Sequence, residues 1–276
     1  MFNQLLKIRN RKDIISDKER YDLIYNKIKS IETNELLKVS GLNSVSEFNK
    51  AAFSKYYSEI QKMLTNSNQI VLELGAGFGR HTSVIVNCGV KLIILDISAV
   101  SLGINERIHK NLHGTLNSSI DNIPLPDQSI DVVISCESLS YADPERVNNE
   151  ILRVLKPGGC LIVIDALNHN PIYKFNRILK ILLGTRSFNS VFRIPNIKRI
   201  KQLKSSFEQS QVYFFGKWNW FLMPLAKIFP KIASDRNFSK IDRFGPDCLA
   251  FKFVLVCDSY MPGKSHSNKE LSLIHI

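Results

Sequence analysis

From Gln69 to Asp165 short apolar runs alternate with helical stretches, and this alternation constrains the fold more than any other feature of the chain. The apolar runs are 70–74, 90–95, 130–135 and 160–165, and helical patterns fill 80–87, 98–110 and 144–155. A helix between two strands returns the chain to start the next strand in the same direction. The expected fold class is therefore α/β, a doubly wound, mostly parallel sheet with helices on both faces. Asp143-Pro144-Glu145 reads as a helix start, with an Asp cap and Pro at the first helical position. Lys156-Pro157-Gly158-Gly159 stops that helix and turns the chain into the next strand.

The flanks differ from this core. Residues 1–68 are expected to be helical: Tyr21, Ile24, Ile28 and Ile31 recur at helical spacing, as do Phe48, Ala52, Tyr56, Ile60 and Leu64. They either pack on the domain edge or close over a pocket as a lid. The main domain is expected over 69–260, with a basic, aromatic cap insertion at about 171–231. That insertion shows helical patterns over 172–183, 196–207 and 218–229 and a short aromatic strand at 212–215; a final strand follows at 249–257. Leu271–Ile276 reads LSLIHI, which a common transposon-based sequencing adapter also encodes. Residues 265–276 are therefore expected to be non-native or disordered and carry no fold reasoning.

Apolar residues make up 44% of the chain and charged residues 22%, the balance of an ordinary globular protein. The charge is unevenly spread. Residues 171–231 hold twelve Lys/Arg against the single Glu208, a net +11 of the chain's +12. Such asymmetry suggests an acidic partner: anionic membrane, nucleic acid or a phosphorylated substrate. Lys174, Arg177 and Lys180 interleave with Ile172, Phe175 and Leu179, and Phe214 to Leu222 concentrates both tryptophans. This texture suits peripheral contact with anionic membrane through 171–231; the plainer reading is a cap with its own aromatic core. Nucleic acid is disfavoured, since no recognised module is present. The five cysteines, odd in number and without CxxC spacing, read as buried free thiols of a reducing compartment. With neither a signal peptide nor a spanning segment discernible, a cytoplasmic protein is expected, placed at the inner face of the membrane if the basic segment binds there.

The strongest chemical signal is Val71-Leu72-Glu73-Leu74-Gly75-Ala76-Gly77-Phe78-Gly79-Arg80. A strand runs into a glycine-rich turn, where backbone can approach a ligand closely. The spacing is GxGxG; a dinucleotide fingerprint would need glycine at position 80, where Arg80 stands. An acidic residue two before the first glycine suits a ligand with positive charge better than a pyrophosphate. Asp96 ends the next strand, 19 residues past Gly77, where a carboxylate can accept both hydroxyls of a ribose.

VLELGAGFGRHT, LIILDIS, IPLPDQSIDVVIS and YADPERVNNEILRVLKPGGCLIVID resemble successive motifs of the class I S-adenosylmethionine (SAM)-dependent methyltransferases. The subgroup resembled is type 11, which acts on small molecules, lipids and sugars, and the resemblance covers about residues 69–166. It implies a seven-stranded sheet with SAM as cofactor and no metal site. It implies that Gly75, Ala76, Gly77 and Gly79 lie under the methionine part and that Glu73 orients its amino end. Asp96 would hold the ribose and Ile97 pack on the adenine, with Cys136 beside the cofactor. The family's adenine-binding Asp, four residues ahead of the Ile123-Pro124 pair, is replaced by Ser119. Adenine recognition falls to Ser119, the Ile120 backbone or Asp121.

The expected reaction is methyl transfer, at oxygen, to a small-molecule, sugar or lipid-linked acceptor, of the kind used in surface polysaccharide or glycolipid synthesis. A hydroxyl acceptor needs a proton acceptor. His169, after the fifth strand, is the preferred base and Tyr141 the second choice; Glu137 could bind acceptor or cofactor. The absence of an Asn/Asp-Pro-Pro-aromatic run after the fourth strand argues against base methylation. Competing readings are a non-catalytic membrane or nucleic-acid binding protein on the same fold, disfavoured by the intact glycine turn and Asp96, and a nicotinamide-dependent oxidoreductase, disfavoured by the GxGxG spacing.

Overall fold

A computed structural model describes residues 18–182, 191–222 and 244–263, apart from 20, 24, 29, 39 and 40. The tail from 265, most of the expected helix 218–229 and Leu183 lie outside the described residues. Seven strands form one sheet: β1 (Ile70–Leu74), β2 (Lys91–Asp96), β3 (Gly114–Asn117), β4 (Ile130–Cys136), β5 (Leu155–Ala166), β6 (Phe207–Phe215) and β7 (Lys252–Tyr260). Their order is β3-β2-β1-β4-β5-β7-β6. β1 to β5 pair in parallel, and β7 alone runs backwards between β5 and β6. The expected mostly parallel, doubly wound sheet is what the chain forms.

The helices that flank the sheet among the described residues include α1 (Thr33–Lys38), α2 (Glu47–Met63), α3 (Thr82–Val86), α4 (Ala99–Ile108), α5 (Pro144–Val154), α6 (Pro171–Leu182) and α7 (Ile197–Lys204). Buried parallel strands must be apolar on both sides, and successive side chains divide between two cores. Leu72, Leu74, Val133 and Leu161 meet α5 and α7 on one face. Val71, Ile94, Val132 and Ile162 meet Phe53, Tyr56 and Ile60 of α2 on the other. Fully burying side chains such as Ile60 stabilises the fold by roughly 1.5–3 kcal/mol each. The α5 start forms as its sequence dictates: the Asp143 carboxylate accepts from the amides of Glu145 and Arg146, and Val147, Ile151 and Val154 face the core.

Several boundaries differ from expectation. The segment 171–231 is not wholly an insertion, because it supplies β6 itself, which begins at Phe207 rather than 212. Phe207 packs in the sheet core instead of ending a helix. The last strand starts at Lys252, three residues later than expected, because a short 3-10 turn takes Asp247–Leu249. Four of the five cysteines are only half-buried; Cys257 alone is fully enclosed. No helix among the described residues is long and apolar enough to cross a membrane.

Candidate active site

The carboxyl ends of β1, β2 and β4 surround a cavity of about 390 Å³, a size that suits a single small ligand. The turn after β1 lines it with Gly75, Ala76 and Gly77. Gly75 has φ +66°, and a Cβ there would stand 2.5 Å from Ser138 Cβ. The post-β4 turn therefore fits against the glycine turn only because no side chain intervenes. Gly75 and Ala76 donate their amides to Leu95 O, fastening the turn to β2. The Asp96 carboxylate accepts from the amides of Gly77 (2.9 Å) and Ser98 (2.8 Å). Burial pushes its pKa up despite these bonds.

Asp96, Ile97, Ser119, Ile120, Cys136 and Tyr141 all line this cavity. Glu73 does not. It is buried beneath the turn, where Thr82 Oγ1 donates to it at 2.7 Å. Burial raises its pKa to about 8, so it is mostly a neutral acid that anchors the start of α3. Glu73 lies on the sheet face that α3 covers, not at the strand end, so its expected contact with the cofactor's amino end is corrected. Gly79 also stands back from the cavity, against Asn105 and His109. His169 is not in this cavity: it lines a separate groove with α6 and α7. It follows the longer β5 and turns toward those helices, which removes it as the proton acceptor. Asp121 accepts from Ser119 Oγ.

The structure adds residues that sequence reasoning missed. Residues 21–23 and 25–28 are helical and bring Tyr21 and Tyr25 over the cavity. Tyr21 and Tyr141 share a hydrogen bond through their hydroxyls, with rings 5.5 Å apart edge to face. The Ser98 hydroxyl donates to Asp22 and Arg107 donates to Ile31 O, so this segment is fixed to the domain. His81 stacks on Phe53 at 4.9 Å and bonds Tyr57 through Nδ1. Burial lowers its pKa to about 4, which keeps the imidazole neutral.

Glu137 follows β4 in a left-handed conformation (φ +53°). Lys252, at the start of β7, donates to it from an almost fully buried position. Burial alone would raise the Glu137 carboxyl; the ammonium overrides it and holds the group below the usual carboxylate range. About half of the Glu137 side chain remains open. A lysine between Phe251 and Phe253 in an apolar strand was the available signal for this pair, since buried lysines demand partners.

The site fits the cofactor that the sequence resemblance implies. Asp96 offers an anchored carboxylate for a ribose, Ile97 and Ile120 offer apolar walls for a base, and the bare Gly75–Gly77 turn leaves room beneath an amino acid moiety. Comparisons with known proteins agree. Residues 72–163 match the profile of a methyltransferase domain. An uncharacterized methyltransferase of Mycobacterium bovis is 32% identical over 102 residues, covering 37% of this chain and 42% of that protein. The Caenorhabditis elegans sterol 4-C-methyltransferase is 25% identical over 210 residues, 64% of this chain and 61% of its own length. The chain thus spans less than half of the first curated relative and under two thirds of the second. Geranyl diphosphate C-methyltransferase from Streptomyces coelicolor, solved with S-adenosyl-L-homocysteine, has the same fold: TM-score 0.50 at 16% identity, covering 77% of each chain. Residues 72–163 are thus similar to a methyltransferase domain, set in a sheet with the fold of a solved methyltransferase.

Proposed function

We propose that the chain transfers a methyl group from SAM to the hydroxyl oxygen of a small-molecule, sugar or lipid-linked acceptor. The observation that carries this reading is that one cavity joins the cofactor-holding residues, the glycine turn and Asp96, to the ionised Glu137 and to Tyr141. When bound, the cofactor supplies an electrophilic methyl on a sulfonium. The chain's own contribution is alignment, the main requirement of an in-line displacement. Glu137, held charged by Lys252, accepts the hydrogen bond of the acceptor hydroxyl and takes its proton as the new bond forms. Tyr141 and Tyr21 close over the cavity and exclude water. Residues 171–231 carry a peripheral contact with anionic membrane, which suits a lipid-linked acceptor.

The test uses protein ending at Pro262, methyl-labelled SAM and a crude bacterial extract, with products partitioned between organic solvent and water. Label in the organic phase supports a lipid-linked acceptor, and label in water a soluble one. No label in either phase, from protein whose melting temperature SAM raises, refutes catalysis and leaves a cofactor-binding domain.

A further inference from the structure

Helix α6 is inverted relative to an ordinary surface helix. It turns Tyr173 and Arg177 inward and exposes Ile172, Phe175, Ile178 and Leu179. Arg177 is held by Leu167 O and Asn168 Oδ1, so the orientation is fixed by bonds to the end of β5. Of the ten exposed large apolar side chains among the described residues, seven lie in the connections after β5 and β6. Those connections leave the sheet at one end, since Ala166 and Phe215 both pair with Lys252. Cys136 pairs with Ile164 close by, so the cofactor cavity opens at the same end.

Between α6 and α7 lies a groove of about 760 Å³. Ile178, Val191 and Ile197 supply apolar wall, while Lys174, Lys198, Lys201 and His169 supply cationic and donor groups. Among the described residues no carboxylate lines it. Apolar surface beside uncompensated lysines fits an amphiphile with an anionic head, and the exposed apolar rim around it fits a surface into which side chains can insert.

We infer that this groove seats the phosphate headgroup of an anionic phospholipid at a bilayer surface, and that the exposed face of α6 enters the interface beside it. The inference rests on the membrane contact in the reading above, not on methyl transfer. It orients the molecule with the cofactor cavity facing the bilayer, so that an acceptor can enter from the lipid side.

The experiment is co-sedimentation of the whole chain with phosphatidylcholine vesicles, with and without phosphatidylglycerol. The wild type is expected to bind only vesicles containing phosphatidylglycerol. The triple variant Lys174→Ala, Lys198→Ala, Lys201→Ala should bind about a hundredfold more weakly at low salt, from the contribution of each lysine near an anionic surface. Ile178→Ser should also weaken binding, and Lys91→Ala with Lys110→Ala, on other exposed surface, should not. The shift in melting temperature caused by S-adenosylhomocysteine is read on every variant. An unchanged shift shows that the triple variant is folded, and absence of a shift in the wild type would sink the cofactor reading while leaving the vesicle result standing. Equal binding by triple variant and wild type would overturn the groove's role. So would indifference of the wild type to phosphatidylglycerol, or binding of soluble glycerol phosphate as tightly as vesicles.

Discussion

On the β1–β2 side of the sheet the buried charged groups are carboxylates, Glu73 and Asp96. Around β5, β7 and their connections they are mainly cations: Arg177, Arg193, Arg199, Lys217 and Lys252. The two sets are satisfied differently. The carboxylates bond locally, Glu73 to Thr82 and Asp96 to Gly77 and Ser98. Among the cations Arg177 also bonds locally, to Leu167 O and Asn168, but three reach farther. Arg199 donates to Leu139 O and Asn148, Lys217 to Gly245 O, and Lys252 to Glu137, 115 residues away. One side fixes the glycine turn through short-range contacts; the other ties the loops after β4 and β6 through contacts of longer range.

Breaking the local side should have the largest effect. Gly75→Val places a branched side chain in a left-handed conformation and against Ser138, so it should cost about 3 kcal/mol or more in strain and clash and abolish the cofactor-induced melting shift. On the long-range side, Glu137→Ala strands the buried Lys252 ammonium. It should cost about 3 kcal/mol in denaturant unfolding. The double variant with Lys252→Met should recover much of that loss, and no recovery would mean that the pair is not coupled.

Asp96→Ala should weaken SAM binding by roughly 1.5–3 kcal/mol in calorimetry, the worth of a hydrogen bond to a charged group. Unchanged affinity would refute the ribose assignment.

The carboxylate side also predicts a pH dependence. The Glu73 pKa is raised from 4.5 to about 8 by burial. The folded state therefore keeps a proton that the unfolded state releases, and this contribution to stability is full below about 4.5 and is lost as pH rises toward 8. Melting temperature should fall across that window, and Glu73→Gln should flatten the fall; an identical slope in the variant would show that Glu73 is not its source. The smallest effect is expected from Tyr21→Phe, which removes one hydroxyl contact over the cavity. It should weaken cofactor binding by about 1 kcal/mol or less.

The same division explains what the sequence disclosed. The glycine turn, Asp96 and the Asp143-Pro144 helix start were legible because their partners lie within a few to about twenty residues, at spacings set by strand and helix geometry. The exclusion of His169 was not legible. Position after β5 was right, but which way the loop turns depends on Arg177 and Arg199, whose partners, two backbone carbonyls and the Asn168 and Asn148 side chains, carry no sequence signature. Tyr21 was read as part of a helical stripe, and only the fold shows that its hydroxyl meets Tyr141 across 120 residues. Nor was the division of the basic segment legible: among the described residues four of its cations, Arg177, Arg193, Arg199 and Lys217, are buried.

β7 fills the gap between β5 and β6 and is the last strand of the described chain. During synthesis the ribosome must release that strand before the sheet can close. Until then β5 has an open edge and β6 has no neighbour, two unpaired edges that invite association with other chains. Lys252 arrives with the same strand. A nascent or truncated chain ending before it would hold the glycine turn and Asp96 but leave Glu137 without its cation, so the turn after β1 can be complete in a molecule whose post-β4 turn is not.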